Sequence, residues 1–248
     1  MKTISTLLLA GIMMQIPAVV MAAETIEVVT EIWEPYSYLL PDGSVGGTST
    51  AKIRRILDKT GLKYTIKVYP WARAYRTALN KKNVLIYSIY RTKKREEKFQ
   101  WLCPFLPVEP VHAYALQTRR DIRINTLDEL KLYLTAIPRE DYVYQYLIEQ
   151  GFKEYKHLDI TPTYDISLHK LVKQRIDLII GAGPSINKRL KSLGYKRVKL
   201  TPVYKFDPRM VAGNCMAFNL ATPPGIVEKV RKALLQVNQA IENKAFSK

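Results

Sequence analysis

Cysteine and histidine are scarce in this chain of 248 residues: two cysteines, Cys103 and Cys215, and three histidines, His112, His157 and His169. The histidines stand far from one another and from the cysteines, without the spacings at which metal ligands recur, so neither a metal site nor a cofactor is expected. Two cysteines permit one bridge. In an oxidising compartment it would close a long loop worth roughly 4 to 5 kcal/mol if unstrained, but whether the two sulfurs meet is a matter of geometry that sequence leaves open. Acidic residues also fall short, 22 against 39 Lys and Arg, for a net charge of +17. Such a balance favours anionic partners through its field. Past residue 21 no apolar run reaches the roughly 18 residues of a membrane-spanning helix.

What the chain does have begins with a leader. Met1-Lys2-Thr3, an apolar block from Ile4 to Met21 and Ala22-Ala23 before Glu24 read as a secretory signal peptide over 1–23. No cysteine follows the block, which argues against a lipid anchor. Removing Lys2 with the leader leaves 38 cations against 22 acids, a net +16. Export argues against nucleic acid as the partner, and the cations are spread along the chain rather than gathered in one arm.

The mature chain alternates strand and helix. A strand at 25–30 leads into the aromatic loop Trp33-Glu34-Pro35-Tyr36-Ser37-Tyr38; a helix follows with Ser49 as a candidate N-cap and Gly61 as its stop. A second strand, 64–69, precedes a helix that opens at Pro70, with Trp71, Ala74, Tyr75, Ala78 and Leu79 on one face. A third, 84–89, runs directly into Arg91-Thr92-Lys93-Lys94-Arg95. Strands separated by helices pair in parallel, so an α/β layer is expected. The cationic turn is either a wet surface or a site beyond the carboxyl end of a strand, where ligands of open α/β sheets bind. Trp71 is either a core anchor or the lip of that site.

Pro104, Pro107 and Pro110 read as a stiffened crossover. Beyond it lie a strand at 111–116, a capping box at Thr126-Leu127-Asp128-Glu129, a strand at 133–137, helices at 141–150 and 167–175, a strand at 176–180 and a helix at 184–193. A strand at 215–220 and a long amphipathic helix close the chain. The segments 111–116 and 214–220 therefore bracket a second α/β unit.

Taken together, Trp33-x-Pro35-Tyr36, Asp42-Gly43, Pro70-Trp71-x-Arg73-Ala74, Thr92-x-x-Arg95-Glu96 with Phe99 and Trp101, Thr126-Leu127-Asp128-Glu129-Leu130 and Arg175-Ile176-Asp177 resemble the extracellular solute-binding proteins of family 3, in order and spacing over the whole mature chain. The resemblance implies a two-lobed periplasmic-binding-protein (type II-like) α/β clamshell with two hinge strands: lobe 1 from 24–110 plus 214–248, lobe 2 from 111–213. It implies a monomer in the periplasm that captures a small anionic or zwitterionic, amino-acid-like solute for an ABC-type transporter, its partner being an inner-membrane permease complex. A sensor role on the same clamshell is the alternative, and a cyclohexadienyl dehydratase-like enzyme, with Glu140 or Asp141 as general acid, is a further one.

By the same resemblance Arg95 grips the ligand's carboxylate, Ser88 and Thr92 line the same turn, and Tyr36 or Tyr38 and Trp71 sandwich its body, with Arg91, Arg139 and Asp141 as further contacts. The sequence departs from the family pattern where an acid would hold the ligand's ammonium: counting five residues from Asp177 reaches Ala182. Glu140 or Asp141 then has to replace it; otherwise the ligand is not an ordinary α-amino acid.

Overall fold

The computed structural model describes residues 25–246, so the leader at 1–23 lies outside it. In chain order β1 (Ile26–Thr30) leads through a hairpin, β2 (Tyr38–Leu39) and β3 (Val45–Gly46), to α1 (Thr48–Asp58), β4 (Tyr64–Val68), α2 (Trp71–Asn80), β5 (Val84–Arg91), a 3-10 turn over Lys93–Lys98 and β6 (Phe99–Leu106). The middle of the chain holds β7 (Val111–Leu116), a 3-10 turn over Glu129–Leu132, β8 (Thr135–Pro138), α3 (Tyr142–Glu149), β9 (Leu158–Thr161), α4 (Tyr164–Val172), β10 (Leu178–Ala182), α5 (Gly183–Ser192) and β11 (Leu200–Lys205). Then β12 (Gly213–Asn219) and α6 (Pro224–Phe246) follow.

Two five-stranded sheets result, ordered β4-β1-β5-β12-β6 and β11-β7-β10-β8-β9. The expected parallel pairing is present where helices connect the strands: β1 lies parallel to β4 and β5, and β8 parallel to β9 and β10. The returning strand β12 is antiparallel to β5 and β6, and stitches the C-terminal segment into the first sheet. Chain crosses between the sheets twice, at 107–110 and 206–212.

Three strands depart from the sequence reading. Pro104 lies inside β6, so the stiffened crossover is shorter and holds only Pro107 and Pro110. A strand tolerates proline at a sheet edge, where one row of N–H groups has no partner to lose, and β6 is an edge. The same reason admits Pro202 in the edge strand β11, which periodicity did not reveal. The short β9 carries Asp159 among its four residues and gave no apolar run.

Each sheet buries both faces. In the first, Leu85 and Tyr87 of β5 pack with α1 and α6, while Val84 and Ile86 pack with α2. That alternation breaks at Ser88: the next residue, Ile89, returns to the α2 side. Ser88 has φ 61° and is the extra residue opposite the register shift between Cys215 and Met216. A bulge of this kind re-aims the side chains beyond it.

Ser49 is not the cap of α1. The N-cap is Gly47, at φ 109°, where an added Cβ would lie 2.2 Å from the Tyr36 carbonyl oxygen. The close approach lets Ser49 donate to that carbonyl from its backbone N (3.0 Å) and its Oγ (2.7 Å), tying the aromatic loop to the helix. Gly47→Ala is therefore expected to lose at least about 2 kcal/mol in urea unfolding. Gly43→Ala, also at positive φ but in open space, should lose only about 1 kcal/mol.

Candidate functional site

Between the sheets lies a partly open cavity of about 90 Å³, several times what one water needs. Its floor comes from the carboxyl ends of strands in both sheets: Glu31 just past β1, Ser88 and Tyr90 of β5, and Ile180 to Ala182 of β10. The Ser88 bulge sets two of these. Past the flip, Tyr90 joins the second lobe's core, and Ser88 turns a buried Oγ without a hydrogen-bond partner to the cavity.

Arg95, from the 3-10 turn, also lines the cavity and is 0% exposed. Its Nε donates to Gln145 Oε1 (3.1 Å), Nη1 to the Tyr90 carbonyl (3.3 Å) and Nη2 to the Glu140 carbonyl (2.7 Å). Trp71 and Tyr75 hold the guanidinium against their rings, at 5.3 and 4.8 Å from the centroids. These bonds engage three of its five N–H groups. Trp71 Nε1 donates to the same Glu140 carbonyl (2.7 Å), so two first-lobe side chains grasp one second-lobe oxygen. A second cross-lobe tie joins Glu34, after β1, to α5: its carboxylate pairs with Arg189 and accepts from Ser192 Oγ, and its carbonyl accepts from Ser185 Oγ (2.6 Å).

Of the residues singled out in the sequence, Arg95, Ser88, Trp71 and Asp141 are brought together on the cavity. The other five lie off it. Arg91 is held by Glu96, with Nε 2.8 Å from Oε2, and leans toward Trp101. Tyr36 donates to Glu109 beside the first crossover, Tyr38 pairs with Gly46 in the small hairpin, Arg139 is exposed, and Thr92 Oγ1 is buried without a partner. Asp141 also caps α3, accepting from Val143 N (2.7 Å). Ala182 stands on the wall as a bare methyl group, and Asp177 is engaged elsewhere, by Arg119 Nη1 (2.7 Å) and Leu134 N (2.9 Å).

Glu31 was missed by the sequence reading, although an acid directly beyond an apolar strand is the available signal. Burial pushes its carboxyl up to about 8, with the Asp141 charge adding to the rise and Arg95 opposing it. Asp141 is raised for the same first reason, burial, offset by the Val143 N–H and by Arg95. A carboxyl with a raised folded value favours the fold while protonated, and that contribution is lost as pH climbs from its unfolded value near 4.5 through about 8. The unliganded protein should accordingly lose melting temperature over this window. Glu31→Gln should flatten the decline, as thermal unfolding at stepped pH would show.

Three carboxyl and two guanidinium groups line the cavity; Glu34 is paired with Arg189, and burial keeps Glu31 largely protonated at neutral pH. Among the described residues no helix is long and apolar enough to cross a membrane, and no group of three metal-ligating side chains comes together.

The family model of the bacterial extracellular solute-binding proteins, family 3, matches residues 26–244. The chain belongs to this family. No curated protein is significantly similar in sequence. Arginine-binding proteins recur among solved structures of like fold. An ancestral arginine-binding protein bound to arginine superposes with TM-score 0.72 at 15% identity, covering 87% of this chain and 92% of that one. The arginine-, lysine-, histidine-binding protein ArtJ of the thermophile Geobacillus stearothermophilus gives 0.71 at 19%, covering 91% and 96%. A histidine kinase sensor domain with similarity to periplasmic binding proteins gives 0.71 at 19%, covering 89% and 93%. The family and these neighbours establish the type II-like periplasmic-binding-protein fold.

Proposed function

We propose that this family 3 protein is exported to the periplasm by a cleaved leader and captures a small zwitterionic, amino-acid-like solute between its lobes, 24–110 plus 214–248 and 111–213, for delivery to an ABC-type transporter. The observation that carries the reading is one cavity between the sheets with Arg95 and Ser88 available to a carboxylate and the Glu31 carboxyl group to a cation. A bidentate guanidinium fixes an anionic end, and a cationic end brought beside Glu31 favours the charged carboxylate over the protonated form that burial imposes. Of the two solute classes the sequence left open, the zwitterion fits better than a plain anion, which would bring no cation to the Glu31 and Asp141 carboxyl groups. The solved neighbours that bind arginine support an amino-acid-like body.

A thermal-shift screen of amino acids, betaines and small organic acids tests this, because a ligand bound only by the folded state raises apparent stability. Zwitterions are expected to shift the melt and dicarboxylic acids to leave it unmoved; a melt raised by organic acids alone would overturn the reading.

The sensor alternative rests on the histidine kinase sensor domain of like fold, and a neighbouring gene for a kinase rather than a permease would favour it. A dehydratase-like enzyme finds little in the site. Glu140 accepts from Gln145 Nε2 (3.1 Å) and Asp141 from the helix it caps, so neither is presented as a free acid; turnover of a cyclohexadienyl acid would revive it.

A further inference from the structure

Resting on the reading of the cavity as a zwitterion site, we propose that the captured solute carries an N-methylated, betaine-type ammonium seated against the aromatic wall of Trp33, Tyr90 and Tyr142.

The wall is continuous and spans both lobes. Trp33 and Tyr90 centroids lie 6.2 Å apart with planes at 63°, and Tyr90 and Tyr142 lie 4.6 Å apart at 40°. All three line the cavity. The second lobe adds Ile180, Ala182 and Ile186 to the lining, which are apolar.

The acceptors a primary ammonium needs are scarce. It brings three N–H donors, and in a closed cleft each wants a partner. Of the three carboxylates facing the cavity, Glu34 is taken by Arg189 and Ser192, and Asp141 gives its Oδ1 to the cap of α3. The Ile180 carbonyl accepts from Tyr164 Oη (3.0 Å), a contact so close that a Cβ at Gly181 would lie 2.7 Å from that hydroxyl oxygen. Glu31 alone among these carboxylates has no hydrogen-bond donor. A methylated ammonium asks for no acceptors. It presents apolar methyl groups to apolar walls, its charge is attracted by ring faces, and one nearby carboxylate suffices as counter-charge.

Calorimetric titration with glycine, N-methylglycine, N,N-dimethylglycine and trimethylglycine, with arginine alongside, tests this. Affinity is expected to rise along the series, at least tenfold from glycine to trimethylglycine, with arginine weaker than trimethylglycine. Trp33→Leu should lose most of that gain, and replacing the tryptophans by fluorinated tryptophan, which keeps shape but weakens the ring's negative face, should lower trimethylglycine affinity stepwise in a protein that melts normally. Glycine or arginine binding more tightly than trimethylglycine would overturn the inference while leaving the zwitterion site standing. If none of the five binds and the broader screen shows no zwitterion either, the site reading itself falls, and the inference with it.

Discussion

Arg95→Ala is expected to abolish detectable binding of any zwitterion that shifts the wild-type melt, a loss of at least about 100-fold, or near 3 kcal/mol. The reason is that Arg95 does two things at once. Two of its N–H groups lie outside its three protein bonds, and those three hold the Glu140 carbonyl, Gln145 and the Tyr90 carbonyl from a position with no solvent access. Deleting it leaves buried acceptors unsatisfied and removes the positive charge that offsets Glu31 and Asp141, so stability should fall by about 3 kcal/mol or more. Since such a variant can fail to fold, Arg95→Lys is the companion: it keeps the charge without the planar fork, and should fold while binding at least about tenfold more weakly. A folded Arg95→Ala protein with wild-type affinity would show that the carboxylate is held elsewhere.

Replacing both cysteines by alanine should remove roughly 4 to 5 kcal/mol, seen as a melting temperature lower by roughly 10 to 20 °C. The disulfide that sequence left open is present between Cys103 and Cys215, which join the neighbouring strands β6 and β12 across a separation of 112 residues. That is the long loop for which cross-linking restricts the unfolded chain most. The bridge also fastens the C-terminal segment, which returns from the second lobe, into the first sheet. Its loss should loosen β12 and, through the Ser88 register, the cavity floor; a double variant melting within about 3 °C of wild type would show that the sheet alone suffices.

Much of the fold was legible because each element carried its own period. Trp71, Ala74, Tyr75 and Ala78 announced α2, and all four are buried. What stayed hidden depends on partners remote in sequence. Nothing around Ser88 signals a bulge, because the extra residue exists only relative to β12, which lies more than a hundred positions away. The strands β6 and β11 were obscured by prolines that only an edge position makes tolerable. In the site, Arg95 stood out as a guanidinium after an apolar strand, whereas Arg91 looked equivalent and differs only in meeting Glu96 on the same turn. Glu31 and Glu34 were passed over because their environments are made by residues remote in sequence: the loop after β1 meets α5 and Asp141, which gives a raised acid and a cross-lobe ion pair.

The most direct measurement of the central claim is a crystal structure with the solute that raises the melting temperature most in the screen. Density is predicted between the two sheets, with the solute's carboxylate on Arg95 and its cationic end toward Glu31. A solute found in another place, such as the cavity beside the crossovers lined by Glu109 and Lys205, with the central cleft unchanged, would contradict it.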